Sequence, residues 1–178
     1  MKHSIIVSGF GGQGILFASK QFAKCAMYKD YNVSWLPSYG PEMRGGACNC
    51  SVIISDEEIG SPIIPHPDIL IVFNNPSFEK FEPALSPGGL LIADSTLIQK
   101  KSERTDIKAS YIPATGIAAE NGLDGLANVI VLGHLLKTTG MFDYDSFLNF
   151  MIESIPPTKA AMIEKNTLAL KLGFGFEV

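Results

Sequence analysis

The sequence predicts an α/β domain: a doubly wound, mostly parallel sheet with helices on both faces and a helical C-terminal part. Three observations lead there. The apolar run Ile5-Ile6-Val7 passes straight into the glycine-rich stretch Gly9–Gly14, and apolar residues at helical spacing follow. Two short β-rich runs, Ile69–Phe73 and Leu90–Ala93, are bounded by turn residues, as central parallel strands are. Beyond Ala127 the apolar period is helical. Strand, glycine turn and helix together open a Rossmann-like fold.

Each element has its own reason. Ser4–Ser8 reads as a short buried strand. Ile15, Ala18, Phe22 and Ala26 recur at spacings of 3, 4 and 4, one face of a helix. Val33–Leu36 is a second strand, and a loop rich in glycine and proline follows it from Pro37 to Gly46. Ala47–Ser55 is a third strand with Val52-Ile53-Ile54 at its core. Pro76–Leu85 is the crossover between the two central strands, helical in part, and Tyr111-Ile112 is a last short strand.

Ala127, Ile130, Val131, His134 and Leu135 share one helix face. Val129, Leu132 and Leu136 fill the other side, so this helix is expected to be buried nearly all round. Phe142–Ile155 is a further helix with Asp143 or Asp145 as its cap. Pro156-Pro157 interrupts, and a final helix from about Thr158 to Leu172 ends at Gly173, placed as a C-cap.

Composition bounds the function. The 178 residues fit one domain, 1–178. Charged residues make up 18%, against about 25% in an ordinary domain, which points to extra buried surface such as a subunit contact. A net charge of -4 without a basic stripe speaks against nucleic acid. The only basic cluster, Lys100, Lys101 and Arg104, reads as a solvated loop. No apolar run is long enough for a membrane span, and the apolar start is too short for a signal segment, so a cytoplasmic protein is expected. Three cysteines, an odd count, argue against a disulfide framework.

Two segments could carry chemistry. Gly9-Phe10-Gly11-Gly12-Gln13-Gly14 satisfies G-x-G-x-x-G between a strand and a helix. Glycines there let a phosphate approach backbone amides at a helix N-terminus, or they only permit close packing. A dinucleotide site also wants an acid at the end of the second strand; Trp35-Leu36-Pro37 has none, which discounts NAD. Pro37-Ser38-Tyr39-Gly40-Pro41-Glu42-Met43-Arg44-Gly45-Gly46 joins two strands near the ligand side of such a sheet. Arg44 either grips a phosphate or carboxylate or pairs with Glu42 and holds the loop. Cys48 and Cys50 face one side of a strand. With Cys25 they fall short of the four thiolates of an ordinary iron-sulfur cluster. His3, His66 and His134 show no metal spacing, and no nucleophile elbow or Walker lysine is present.

These two segments resemble those of the gamma subunits of 2-oxoacid:ferredoxin (acceptor) oxidoreductases. Cys50–Ser55, Ile59-Gly60-Ser61-Pro62, Pro67-Asp68-Ile69-Leu70 and Ala127–Gly133 extend the resemblance over nearly the whole chain, as do Asn166, Ala169-Leu170 and Gly173-Phe174. The resemblance implies a non-autonomous subunit of an enzyme that oxidatively decarboxylates a 2-oxoacid on thiamine diphosphate, acylates coenzyme A and passes electrons to ferredoxin. It looks most like the 2-oxoglutarate type; pyruvate, branched-chain and indolepyruvate enzymes have similar subunits. Thiamine diphosphate and the iron-sulfur clusters are expected in alpha, beta and ferredoxin-like delta partners, with no cofactor tightly bound here. Gly9, Gly11, Gly12, Gln13 and Gly14 match the family's first loop, and Ser38, Tyr39, Gly40, Glu42, Arg44, Gly45 and Gly46 its second. Both loops are thereby expected to face the active-site cleft and coenzyme A phosphates. An isolated chain of this kind is expected to be inactive and able to form a homodimer. The alternative is a free-standing module that binds a nucleotide or phosphate ligand without catalysis.

Overall fold

A computed structural model describes residues 2–39 and 47–177, with Tyr39 and Ala47 by backbone alone. Its strands are β1 (Lys2–Phe10), β2 (Asn32–Tyr39), β3 (Ala47–Ser55), β4 (Ile69–Val72), β5 (Leu90–Asp94) and β6 (Lys108–Ile112). They form a single sheet in the order β2-β3-β1-β4-β5-β6. From β1 through β6 the neighbours are parallel, whereas β3 runs antiparallel to both β1 and β2. β2 therefore points the same way as β1. The register Phe10↔Ala47 and Tyr39↔Cys48 brings their carboxyl ends to one edge.

The helices are α1 (Ile15–Tyr28), α2 (Asn75–Phe81), α3 (Ala114–Glu120), α4 (Ala127–Thr139), α5 (Tyr144–Glu153) and α6 (Met162–Phe174). Every residue of β4 and β5 is buried, because both faces of the sheet are covered there. Alternate residues go to opposite cores. Ile5, Val7, Val52, Ile54, Ile71 and Ile92 pack with α1 and α4. Ile6, Leu70, Val72, Leu91 and Ala93 pack with Phe78 of α2 and with Leu85 and Ile98. The expected face of α1 (Ile15, Ala18, Phe22, Ala26) is buried, and α4 is buried without interruption from Asn128 to Leu136.

Caps explain several boundaries. The Asn74 side chain accepts from the Ser77 N–H at 2.8 Å and starts α2. Of the two acids considered, Asp143 is the cap of α5, accepting from the Ser146 N–H.

Four expectations need correction. β2 does not end at Leu36: it runs to Tyr39, and Pro37 and Ser38, expected to open the loop, pair with Cys50 and Asn49 of β3. Gly173 does not terminate the last helix: α6 begins at Met162, after a 3-10 turn at Pro157–Lys159, and runs to Phe174. Gly173 lies inside it because a Cβ there would stand 1.7 Å from the Ile130 carbonyl oxygen. The glycine lets two helix backbones touch. The Lys100–Arg104 loop is not simply solvated. The Arg104 guanidinium donates to the Glu82 and Leu85 carbonyls and pairs with Asp106 at 2.7 Å. Helix α3, which the sequence pattern did not announce, follows β6 after Pro113.

Candidate functional site

The glycine segment leaves β1 at Phe10, with Gly9 still paired to Cys48, and enters α1 at its N-cap, Gly14. Its glycines divide between the two meanings the motif left open. A Cβ on Gly9 would lie 2.5 Å from Gln13 Oε1, and one on Gly14 would lie 2.1 Å from Asn128 Nδ2. Both are packing positions. Gly12, at φ +100°, has no atom within 4 Å of where a Cβ would go, so it faces open space.

Gln13 is a brace. Its Oε1 accepts the Phe10 N–H at 2.6 Å, and its Nε2 donates to the Phe73 carbonyl at 3.1 Å, tying the loop to the end of β4. The first intrahelical bond of α1 runs from the Ala18 N–H to the Gly14 oxygen. The amides of Ile15, Leu16 and Phe17 precede it and carry the positive end of the helix dipole. No acid occupies this first turn.

A crevice of ≈ 260 Å³ opens beside Gly12, lined among others by Gln13, Phe73, Leu97, Thr115 and Asp124. Gln13, Phe73, Leu97 and Thr115 follow the carboxyl ends of the parallel strands β1, β4, β5 and β6, where open α/β sheets bind ligands, and Asp124 comes from the connection between α3 and α4. Its far wall is pinned by Asp94, a fully buried carboxylate at the end of β5. Asp94 accepts from the Thr96 and Thr115 N–H groups, each at 3.1 Å, and from the Thr115 hydroxyl at 2.5 Å. Sequence reasoning missed Asp94 and Thr115; the available signal was an acid closing the apolar run Leu90–Ala93. On the other side of Gly14 lies a wider groove of ≈ 670 Å³ between Phe17, Gln21, Leu126, Pro156 and Met162.

The second loop starts at the same end of the sheet, one strand away from β1. Ser38 is exposed and pairs with Asn49. It points to the sheet face opposite α1, because Trp35 and Val33, three and five residues before it and so of opposite parity, pack on the α1 side. Ser38 does not line the crevice. Tyr39 ends β2 opposite Cys48. Gly40, Glu42, Arg44, Gly45 and Gly46 lie outside the described residues.

The remaining candidates are structural. Cys25, Cys48 and Cys50 are free and buried. Burial pushes the Cys25 and Cys50 thiols up to about 11, far from thiolate reactivity. Among the described residues no three His, Cys, Asp or Glu side chains gather as a metal site, and the three cysteines do not form a cluster cradle. His66 is exposed beside the Ala84 carbonyl, and His134 is buried against Ser110 at 2.6 Å.

The family model for pyruvate ferredoxin/flavodoxin oxidoreductase matches residues 4–176. The chain belongs to this family. Among its relatives, the 2-oxoglutarate synthase subunit KorC of Methanocaldococcus jannaschii is 35% identical over 177 residues, covering 98% of this chain and 93% of that protein. The ketoisovalerate oxidoreductase subunit VorA of Methanothermobacter marburgensis is 40% identical over 143 residues, 79% of this chain but 30% of that protein. The chain thus spans about a third of the length of its VorA relatives and nearly all of KorC. The crystal structure of the gamma subunit of a keto/oxoacid ferredoxin oxidoreductase from Geobacter sulfurreducens superposes with a TM-score of 0.85 at 28% identity, over 98% of this chain and 95% of that one. The α/β fold and the subunit character expected from the sequence are those of these relatives. Among the described residues, no helix is long and apolar enough to cross a membrane.

Proposed function

We propose that this chain is the gamma-type subunit of a multi-subunit 2-oxoglutarate:ferredoxin oxidoreductase, a cytoplasmic enzyme that makes an acyl-coenzyme A by oxidative decarboxylation. One observation carries the substrate: the KorC relatives match end to end as separate subunits of this length. Thiamine diphosphate and iron-sulfur clusters belong in this reading to alpha, beta and delta-like partners, and ferredoxin accepts the electrons. The exposure of Met27 (61%), Tyr28 (72%) and Leu36 (44%) fits a chain that is covered by partners.

This chain's share is the coenzyme A side of the cleft. Gly12 and the open first turn of α1 offer N–H groups to a phosphate. Arg44, in the loop that leaves the same end of the sheet, supplies a guanidinium for bidentate contact. The higher identity to VorA favours a second reading, in which the 2-oxoacid is the branched 2-oxoisovalerate.

The test is to purify the complex anaerobically through this chain and assay coenzyme A-dependent ferredoxin reduction with each 2-oxoacid. Preference for 2-oxoglutarate by at least about tenfold is expected. The reverse preference moves the assignment to the branched-chain enzyme, and a chain that purifies alone or without coenzyme A-dependent turnover overturns it. In the same complex, Arg44→Ala is expected to raise KM for coenzyme A; an unchanged KM removes Arg44 from the site.

A further inference from the structure

We infer that Asn128, on the far side of the molecule in sequence, is the positioning residue of the glycine loop. Its side chain fixes the carbonyl from which α1 starts, and so aims the ligand-facing amides. The inference rests on the phosphate-site reading above and assigns to that site a residue from outside its two loops.

Asn128 lies in the first turn of α4 and is 3% exposed. Its Nδ2 donates to the Gly14 carbonyl at 3.1 Å across 114 residues of sequence. Its Oδ1 accepts the Val129 N–H of its own helix at 3.0 Å, a donor shared with the Leu126 carbonyl. That second bond sets which end of the amide faces the loop. Turned over, the amide would present oxygen to the Gly14 oxygen and hydrogen to the Val129 N–H, losing both bonds. The Gly14 oxygen is also the acceptor of the first bond of α1, from Ala18 at 3.0 Å. Asn128 therefore holds the very atom on which the helix begins.

Gly14 completes the argument. Its φ of +74° and the 2.1 Å separation that a Cβ would have from Asn128 Nδ2 mean that only glycine admits the amide here. The loop is thus held from two sides, by Gln13 at the end of β4 and by Asn128 from α4. Gly12 is left exposed at the crevice between these holds, and the first turn of α1 follows directly from the held Gly14. Donors fixed before the ligand arrives lose less freedom on binding, which is where a positioning residue acts.

A merely structural amide would support folding and nothing else, so the test separates the two. In the assembled complex, Asn128→Asp keeps the acceptor for Val129 but removes the donor to Gly14 and sets a buried carboxylate against the Gly14 carbonyl oxygen. Asn128→Ala removes the donor without adding charge. Both are expected to raise KM for coenzyme A, about five- to tenfold, the scale of one lost hydrogen bond, with kcat within about twofold. Amide hydrogen exchange in the Asn128→Ala complex is expected to speed up over residues 10–17 and not over the rest of α1. Gly12→Val, which obstructs the open side of the loop, is the control. If Gly12→Val raises KM and Asn128→Ala does not, the positioning role is overturned while the coenzyme A site stands. If neither variant moves KM, the coenzyme A site falls and the positioning role with it. Loss of thermal stability with unchanged KM, or exchange that rises uniformly across the chain, reduces Asn128 to a packing residue.

Discussion

Glycine does two different jobs at two places in this molecule. At the crossing of α4 and α6, Gly133 and Gly173 bring helix backbones into direct contact. A Cβ on Gly133 would lie 2.1 Å from the Leu170 oxygen, and one on Gly173 would lie 1.7 Å from the Ile130 oxygen. In the loop, Gly9 and Gly14 make room for side-chain amides, and Gly12 makes room for nothing in the chain. The nearest atom to the missing Cβ separates these roles. Backbone on a rigid helix cannot retreat; the end of a Gln or Asn side chain can; open space leaves only the backbone angle and whatever ligand arrives.

That ordering sets the expected effects. Gly173→Ala should be the most damaging, at about 3 kcal/mol or more, because the helices must part along their whole crossing. Thermal melting of the complex or the chain measures it; a neutral result would mean the crossing has slack. Gly14→Ala should cost about 2 kcal/mol, from its left-handed backbone and from Asn128 moving aside. It should also weaken coenzyme A binding, which Gly173→Ala in any folded fraction should not. Gly12→Ala should cost about 1 kcal/mol of stability, from its positive φ alone. If its effect on KM for coenzyme A is nonetheless larger than that of Gly14→Ala, the loop's glycines divide as the geometry divides them. Equal effects on stability and KM at all three sites would erase the distinction.

The sequence showed the sheet far better than it showed the site. Continuous apolar runs mark β4 and β5 because both faces are buried, and the β1–glycine–α1 unit is local. The antiparallel insertion of β3 between β1 and β2 depends on pairing across the chain, and no local pattern announces it. Helix α3 was missed because its seven residues, with an internal Gly116, carry little apolar period. Gly173 looked like a cap because a glycine near a helix end usually is one; only the contact with Ile130 shows otherwise. In the site, the glycine motif was legible, but the division of labour among its glycines was not. It is decided by Gln13, by Phe73 and above all by Asn128, whose partner is 114 residues away.

The smallest expected effect is a dependence on pH, and it belongs to the packed region alone. His134 follows Gly133 in α4 and is 2% exposed. Its Nε2 lies 2.6 Å from Ser110 Oγ, and the Phe176 ring stands edge-on to it. Burial pushes its pKa below the ordinary 6.5, partly offset by the Gly173 backbone. The unfolded chain therefore takes up a proton at a higher pH than the native one does. This contribution to stability is complete above about pH 6.5 and is lost as pH falls toward the depressed native value, with a slope of at most about 1.4 kcal/mol per pH unit. Burial lowers His3 too, against the opposing pull of Asp68, and adds in the same direction, so the comparison must be between wild type and His134→Gln. The variant should show a shallower fall in melting temperature between pH 6.5 and 5. Hydrogen exchange at the acid end should open α4 and α6 in the wild type before residues 10–17 of the glycine loop. If the loop opened first, Asn128 would be transmitting the strain of the helix crossing into the site, and the two regions would be one cooperative unit instead of two.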